Sequence, residues 1–142
     1  MILGFKTKFN NGKDTNFVIK ILACIRSEYA EKYKMKKHSI RKGNRWKADM
    51  LIHMAIGVRT KHYIQFNRNK PELSTSKSVQ SIEIRNLFND RAGVNIDGRE
   101  LTASEIDLLA MNDGFDTTEE FWDFFKSDEF EGQIIHWTDL RY

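Results

Sequence analysis

The chain contains little cysteine, little proline and no long apolar run. Its 142 residues include one cysteine, Cys24, and one proline, Pro71. A single cysteine excludes an intrachain disulfide framework and a zinc site of the CxxC type. The lack of any stretch of about 18 apolar residues predicts that no helix spans a membrane. The first residues lack a basic segment followed by a long apolar stretch, so we expect no secretory signal and a cytoplasmic location.

The histidines do not have metal-ligand spacing, and no other feature of the sequence indicates a cofactor. We therefore expect neither a metal site nor a cofactor. The hydrophobic fraction of 40% and the aromatic fraction of 12% indicate a folded chain rather than a disordered one. The length predicts one domain covering residues 1–142. The four histidines are His38, His53, His62 and His136.

The net charge of +3 conceals a strong asymmetry between the two halves of the chain. Residues 1–71 hold 17 Lys and Arg against 4 Asp and Glu, whereas residues 72–142 hold 6 against 16. Such a basic half predicts a polyanionic partner, either RNA or a nucleotide. Two alternatives remain open. The halves can neutralise each other within one fold, or a basic face can meet an acidic face in a head-to-tail homo-oligomer.

Hydrophobic periodicity predicts short strands and one long helix near the start. Alternating apolar and polar residues predict a strand over residues 2–9, and 3.6-residue spacing predicts a helix from Thr15 to Tyr33. Cys24 lies beside the apolar stripe of this helix, where we expect a half-buried side chain rather than a nucleophile. Further strands are predicted at residues 38–42, 50–56, 63–66, 79–88, 94–96, 99–101 and 133–137.

Two short helices are predicted near the end of the chain. The segment 102–105, Thr-Ala-Ser-Glu, is typical of a capping box that opens the first helix, and Gly114 suits the position just after its last turn. The second helix begins near Asp116 and carries four aromatic residues, Phe121, Trp122, Phe124 and Phe125. We expect them mainly in the core, with Trp122 meeting another element or a partner. These elements predict an α+β fold: a small, mostly antiparallel β-barrel with helices outside it.

A basic motif follows the predicted long helix. Residues 36–41, Lys-Lys-His-Ser-Ile-Arg, have the spacing K-x-x-[S/T]-x-R, and Arg-Trp-Lys at 45–47 comes soon after. A later Asn-Asp-Gly-Phe segment at 112–115 precedes an aromatic helix. Together these segments resemble the ASCH domain, a member of the PUA-like superfamily, and in particular small bacterial and phage proteins of that group. The resemblance touches most of the chain and implies a single PUA-like domain.

The residue types of the motif indicate their own chemistry. On a strand, alternation places Lys37, Ser39 and Arg41 on one face. Crowded cations lower the pKa of a lysine, which favours a general base near neutral pH. A serine hydroxyl positions a water or binds a carbonyl or phosphate oxygen, and an arginine offers a planar fork to phosphate. The alternative is a charged edge strand whose lysines are simply solvated.

A second set of residues is predicted to bind nucleic acid. Arginines and lysines contact phosphates, while tryptophan and tyrosine rings stack on bases, which contributes about 1–3 kcal/mol per base. We expect the basic members to form one positive surface. For the two aromatic members, barrel packing and cross-strand packing are the alternatives. The set comprises Lys37, Arg41, Arg45, Trp46, Lys47, Arg59 and Tyr63.

The resemblance implies a more specific chemistry. Some ASCH proteins are amidohydrolases that remove the acetyl group of N4-acetylcytidine with a lysine, a threonine and a glutamate. Carried over by motif, these positions fall on Lys36, Ser39 and Asp113. An aspartate is one methylene shorter than a glutamate, and a misplacement of about 1 Å costs roughly a hundredfold in rate. Asp113 also suits a purely structural place at a helix end, and Lys37 competes with Lys36, so the sequence leaves catalysis open.

Three functions are therefore compatible with the sequence. The first is a PUA-like (ASCH) domain that binds RNA or a modified nucleotide. The second is an amidohydrolase acting on nucleosides of the N4-acetylcytidine type. The third is a non-enzymatic interaction module whose acidic second half, including Glu119, Glu120 and Asp123, binds a basic partner.

Overall fold

The computed structural model describes residues 1–85, 92–126 and 129–142. Its class is α+β, as predicted, with strands in the majority. No helix in these three ranges is both long and apolar enough to cross a membrane. The strands are β1 (Ile2–Phe5), β2 (His38–Lys42), β3 (His53–Ile56), β4 (Ile64–Gln65), β5 (Ser78–Arg85), β6 (Gly93–Ile96), β7 (Arg99–Glu100) and β8 (Phe130–His136). The helices are α1 (Phe17–Leu22), α2 (Ser27–Ala30), α3 (Ala103–Asn112) and α4 (Thr118–Phe124), with a 3₁₀ turn at Pro71–Leu73.

The strands form two sheets rather than the predicted closed or nearly closed barrel. One sheet has the order β1-β3-β4 and the other has the order β2-β8-β5-β6-β7. Among the described strands, every pair is antiparallel except β1 with β3, so the prediction of mostly antiparallel pairing is confirmed. A barrel requires the edge strands of a sheet to pair. Over the described residues, no ladder joins the two sheets, and the edge strands β4 and β7 have only two residues each.

The predicted helix over residues 15–33 is wrong, because the chain forms two short helices there. α1 ends at Leu22, Arg26 is extended with φ −132° and ψ 112°, and α2 begins at Ser27. The cause is a tertiary hydrogen bond. The carbonyl of Lys20 accepts the backbone N–H of Lys36 at 3.0 Å, whereas the N–H of Cys24, which would bond to Lys20 in a continuing helix, turns to Ile21.

Several local predictions are confirmed. Thr102 accepts a hydrogen bond from the N–H of Glu105, whose side chain accepts one from the N–H of Thr102, so α3 opens with the predicted capping box. Asp97 and Gly98 both have positive φ between β6 and β7, as a two-residue hairpin turn requires.

Three strands, β1, β3 and β4, are shorter than predicted. In the predicted strand at 79–88, residues 86–88 lie outside the described residues.

A continuous hydrophobic core joins the sheets and helices. In the predicted aromatic cluster, Phe121 and Phe125 are buried, whereas Phe124 is 40% exposed. The ring of Phe115 contacts Phe121 edge-to-face and Phe124 in a tilted arrangement, at centroid distances of 5.8 and 5.4 Å. Trp122 packs against Phe121 and is half-buried. The aromatic cluster thus reaches from the core to the surface at Phe124.

Part of the charge asymmetry is neutralised inside the chain. Lys13 of the basic half lies within 3.2 Å of Asp116 and also pairs with Glu120. Lys20, which is largely buried, lies 2.8 Å from Asp116. These pairs attach the segment before α4 to α1, so the acidic and basic halves contact each other within the fold.

Candidate functional site

A small cleft lies where the end of β1, the start of β2 and the segment after α3 meet. Its volume is about 150 Å³. Wider hollows of about 470 and 480 Å³ lie elsewhere on the surface, but neither is lined by a comparable cluster of buried ionisable groups. The cleft is lined by Gly4, Phe5, Lys6, Phe17, Lys36, Ser39, Ile40, Arg41, Asp113, Phe115 and Phe124.

Backbone contacts bring distant segments to this cleft. The N–H of Lys37 donates to the carbonyl of Asn112 at 2.7 Å, which fixes the start of β2 beside the end of α3. Gly114 follows Asp113, the last residue of the helix cap, and has φ +95°. A Cβ on Gly114 would lie 2.9 Å from Cδ of Lys36 and 3.0 Å from the ring of Phe17. A glycine is therefore needed both for the turn and for the close approach of the lysine stem.

Lys36 and Asp113 form a buried ion pair at the base of the cleft. Nζ of Lys36 lies 2.9 Å from Oδ1 of Asp113 and also donates to the Asp113 carbonyl. The exposed fractions of the two side chains are 2% and 6%. The ammonium of Lys36 also sits 4.6 Å from the ring centroid of Phe17. An aromatic face and a carboxylate thus compensate for part of the hydration that burial removes from the ammonium.

Burial sets the protonation of this pair. It lowers the pKa of Lys36 from 10.5 to about 8; the Asp113 carboxylate opposes this shift, and the nearby cations Arg41 and Lys20 add to it. Burial also disfavours ionisation of Asp113, but Lys36 and His38 outweigh it and hold the pKa of that carboxyl below its usual value. The pair therefore combines an ionised carboxylate with a lysine that loses its proton more readily than a solvated one.

His38 supports the Asp113 carboxylate from the other side. Nδ1 of His38 lies 3.4 Å from Oδ1 of Asp113, and Nε2 lies 2.7 Å from the hydroxyl of Tyr142. Burial lowers the pKa of His38, so its ring is neutral at pH 7. The Tyr142 hydroxyl accepts from the Asn112 side chain at 3.0 Å and can donate its own proton to Nε2. Nδ1 of His38 is buried beside the carboxylate and makes no hydrogen bond of good geometry with any described residue.

Ser39 and Arg41 complete the polar part of the cleft. Both lie on β2 and line the cleft, as alternation along a strand predicts. The side chain of Ser39 is buried, and its hydroxyl has no hydrogen-bond partner in the described part of the chain. The guanidinium of Arg41 donates to the carbonyls of Gly4 and Ile40 and lies 5.3 Å from the ring centroid of Phe5. Arg41 is thus held in the cleft wall, and the hydroxyl of Ser39 is available to a ligand.

The structure brings together Lys36, Ser39, Arg41 and Asp113 from the predicted residues. It places Lys37 outside the cleft, half-buried, because β2 begins at His38 and strand alternation does not extend back to residue 37. Of the two candidate lysines, Lys36 is the one that contacts Asp113.

The other predicted binding residues lie away from the cleft lining. Arg45, Lys47 and Arg59 are exposed, and Tyr63 is 40% exposed near β4. Trp46 is 7% exposed and belongs to the hydrophobic core. It therefore follows the alternative of packing inside the fold rather than stacking on a base. Whether the exposed basic residues form one positive surface stays a prediction.

Several residues of the cleft were not predicted from the sequence. Phe5, Lys6 and Phe17 come from the first strand and the first helix, and Phe124 comes from the end of α4. His38, which faces Asp113, lies inside the motif itself. Its place inside the motif was the signal that could have identified it.

The chain was compared with protein-family models, with curated proteins and with solved structures. None of these comparisons found a match. A function can therefore be inferred only from the geometry of the cleft and the spacing of the motif.

The buried Lys36 predicts an alkaline change in stability. In the unfolded chain this lysine has an ordinary pKa near 10.5, and in the folded chain the pKa is about 8. Between these pH values the unfolded state binds more protons, so the free energy of unfolding rises with pH, by at most about 1.4 kcal/mol per pH unit.

Urea unfolding at pH 7, 8, 9 and 10 tests this expectation. The free energy of unfolding of wild type minus that of Lys36→Met should increase as the pH rises. Lys37→Met serves as the control for loss of a neighbouring lysine. Parallel pH profiles for wild type and Lys36→Met would contradict the expectation.

Proposed function

We propose that the chain is a PUA-like protein of the ASCH type that binds one base of RNA or of a modified nucleotide in the cleft. The observation that carries the proposal is the convergence of Lys36, Ser39, Arg41 and Asp113 on one small hollow with aromatic walls. The motif spacing that resembles the ASCH domain supports it, since the four motif positions meet in space.

The size and chemistry of the cleft suit a single planar ring. A cavity of about 150 Å³ is large enough to hold a benzene-sized molecule. Proteins recognise single-stranded RNA by stacking its bases on aromatic side chains and by hydrogen bonding to their edges. Phe5, Phe17 and Phe115 provide apolar walls, and Ser39 and Asp113 provide a hydroxyl and an acceptor at the polar end. This division of the cleft matches the faces and edge of a base.

Calorimetric titration with nucleosides tests the proposal. The four ribonucleosides and N4-acetylcytidine are titrated into wild type, Ser39→Ala and Ser78→Ala. Ser78 is a buried strand serine that does not line the cleft, so it controls for the loss of a buried hydroxyl. One neutral hydrogen bond contributes about 0.5–1.5 kcal/mol, so Ser39→Ala should weaken binding about 2- to 12-fold and Ser78→Ala should not. Failure of all five nucleosides to bind wild type would overturn the proposal.

Amide hydrolysis on the same cleft is a second candidate, favoured by the state of Lys36. A general base works best when its pKa lies near the working pH, and Lys36 has a pKa of about 8. In this scheme the neutral amine of Lys36 takes a proton from water, and the resulting hydroxide attacks the acetyl carbonyl of N4-acetylcytidine. The hydroxyl of Ser39 donates to the carbonyl oxygen as negative charge develops there.

The protons of this reaction balance through Lys36 alone. When the C–N bond breaks, the ammonium of Lys36 returns its proton to N4, which releases acetic acid and cytidine. Asp113 stays ionised, because its pKa lies below the usual range, and it orients the lysine rather than serving as the acid.

Turnover of N4-acetylcytidine distinguishes this candidate from binding alone. Hydrolysis should rise with pH toward a plateau above about pH 8, and it should fall to background in Lys36→Met but not in Lys37→Met. Absence of hydrolysis by a wild-type protein that binds the nucleoside would reject the candidate and leave the binding function in place.

A further inference from the structure

A second, larger hollow adjoins the cleft. It has a volume of about 460 Å³ and lies between the end of β1 and the loop that follows β3. Gly4, Phe5 and Lys6 line both hollows, so the cleft and this groove share a wall. A ligand whose ring occupies the cleft can therefore extend into the groove without leaving the protein surface. The groove is lined by Gly4, Phe5, Lys6, Thr7, Lys8, Gly57 and Val58.

The charge of the groove is positive. Lys6 is exposed and forms no ion pair with any described residue; its Nζ lies 5.9 Å from the ring centroid of Phe124. Lys8 lies 2.8 Å from Asp14, but both side chains are more than 60% exposed. The attraction between two charges this exposed is weak, because water screens it. The adjoining loop also carries exposed Arg59 and Lys61. Among the described residues that line the groove there is no carboxylate.

The loop wall of the groove is ordered by its own hydrogen bonds. The hydroxyl of Thr60 donates to the carbonyl of Gly57 at 2.8 Å and accepts from the N–H of His62 at 3.1 Å. Gly57 has φ +62°, and a Cβ there would lie 2.3 Å from the His62 carbonyl oxygen. A Cβ on Gly4 would lie 3.0 Å from the side chain of Val58, so the loop packs closely against β1. A preformed wall binds a ligand without the cost of ordering it.

We propose that this groove binds the phosphate of the nucleotide whose base occupies the cleft, with Lys6 and Lys8 as its cations. The inference rests on the proposed function and extends it, because it assigns a phosphate ester rather than a free nucleoside as the ligand. The phosphate belongs either to a free nucleotide or to a phosphodiester of single-stranded RNA. Both sources present the same anionic oxygens, and lysines bind them as point charges.

The test compares a nucleoside with its phosphate ester. The best-binding ribonucleoside, its 5′-monophosphate and a five-residue single-stranded RNA of the same base are titrated into wild type at 50 mM salt. The groove variant is Lys6→Gln/Lys8→Gln. The matched control is Lys32→Gln/Lys77→Gln, which removes the same charge from one exposed lysine without a described ion pair and from one in an exposed pair with an aspartate.

We expect the monophosphate to bind wild type at least tenfold more tightly than the nucleoside. Because Lys6 lines the cleft as well as the groove, the quantity compared is the ratio of the two affinities within each variant. This ratio should fall close to one in the groove variant and stay at tenfold or more in the control. RNA binding tighter than the monophosphate identifies a strand as the ligand, and equal binding identifies a free nucleotide; both outcomes support the groove. Equal affinity of nucleoside and monophosphate, or no loss in the groove variant, overturns it while leaving base binding intact. If neither ligand binds, both proposals fail.

Discussion

Replacing Asp113 with asparagine is expected to lower the free energy of unfolding by about 3–5 kcal/mol, the usual effect of removing one partner of a buried ion pair. The ammonium of Lys36 stays behind with 2% of its side chain exposed and without a counter-charge. It cannot turn toward water easily, because Gly114 and the ring of Phe17 enclose its stem. Without the carboxylate the pKa of Lys36 falls further, so the variant bears the cost of an unpaired buried ammonium or the cost of removing its proton, whichever is smaller.

Urea unfolding at pH 7 with two companion variants isolates this effect. Lys36→Met/Asp113→Asn removes both charges and keeps the length of the stem, so it should recover most of the lost stability. Asp139→Asn removes a carboxylate from the exposed pair with Lys77 and should change stability by less than about 1 kcal/mol. A double variant as unstable as Asp113→Asn would show that the buried charge is not the cause.

Acid is expected to destabilise the fold through His136. This residue is fully buried, and burial, with Arg141 and His38 nearby, lowers its pKa from 6.5 to about 3. Between these values the unfolded state binds the additional proton, so the free energy of unfolding falls as the pH falls through this window. At pH 4.5 the loss due to His136 is about 3 kcal/mol, from 1.36 kcal/mol per pH unit below the unfolded pKa.

The measurement is the free energy of unfolding between pH 7 and pH 4 for three proteins. Carboxylates also titrate in this range, so the informative quantity is the difference between variants. The free energy of unfolding should fall less steeply with decreasing pH in His136→Leu than in wild type. His62→Leu, which removes an exposed imidazole from a loop, is the control. If the free energy of unfolding fell equally steeply with decreasing pH in wild type and His136→Leu, the role of His136 would be refuted.

The parts of the fold that local chemistry determines were predictable from the sequence. The capping box of α3 and the Asp-Gly turn between β6 and β7 depend on residues within four positions of one another. The interruption of the predicted long helix could not be predicted in this way, because the apolar spacing of the sequence continues through Cys24. The break depends on a hydrogen bond from Lys36 to Lys20, sixteen positions away. The apolar periodicity of a helix does not show which of its backbone carbonyls will accept a hydrogen bond from a distant segment.

The site was predictable only in part for the same reason. The spacing of the motif, together with the family resemblance, pointed to Lys36, Ser39 and Asp113, which meet in the cleft. Strand alternation favoured Lys37 over Lys36, since the sequence does not show where β2 begins. Lys6 and Phe124 enter the cleft from opposite ends of the chain, and nothing in either local pattern indicates that they lie side by side.

The position of β8 determines when the larger sheet can form. This strand lies between β2 and β5, although β2 precedes it by almost ninety residues. During synthesis, at about 5–20 residues per second, β2 emerges seconds before β8, with which it pairs, and its edges stay unpaired for that time. Lys36 likewise waits for Asp113, which follows 77 positions later. A nascent chain can complete the local β5-β6-β7 meander early, but it acquires the five-stranded sheet only after β8 is synthesised and the ion pair only after Asp113 is synthesised.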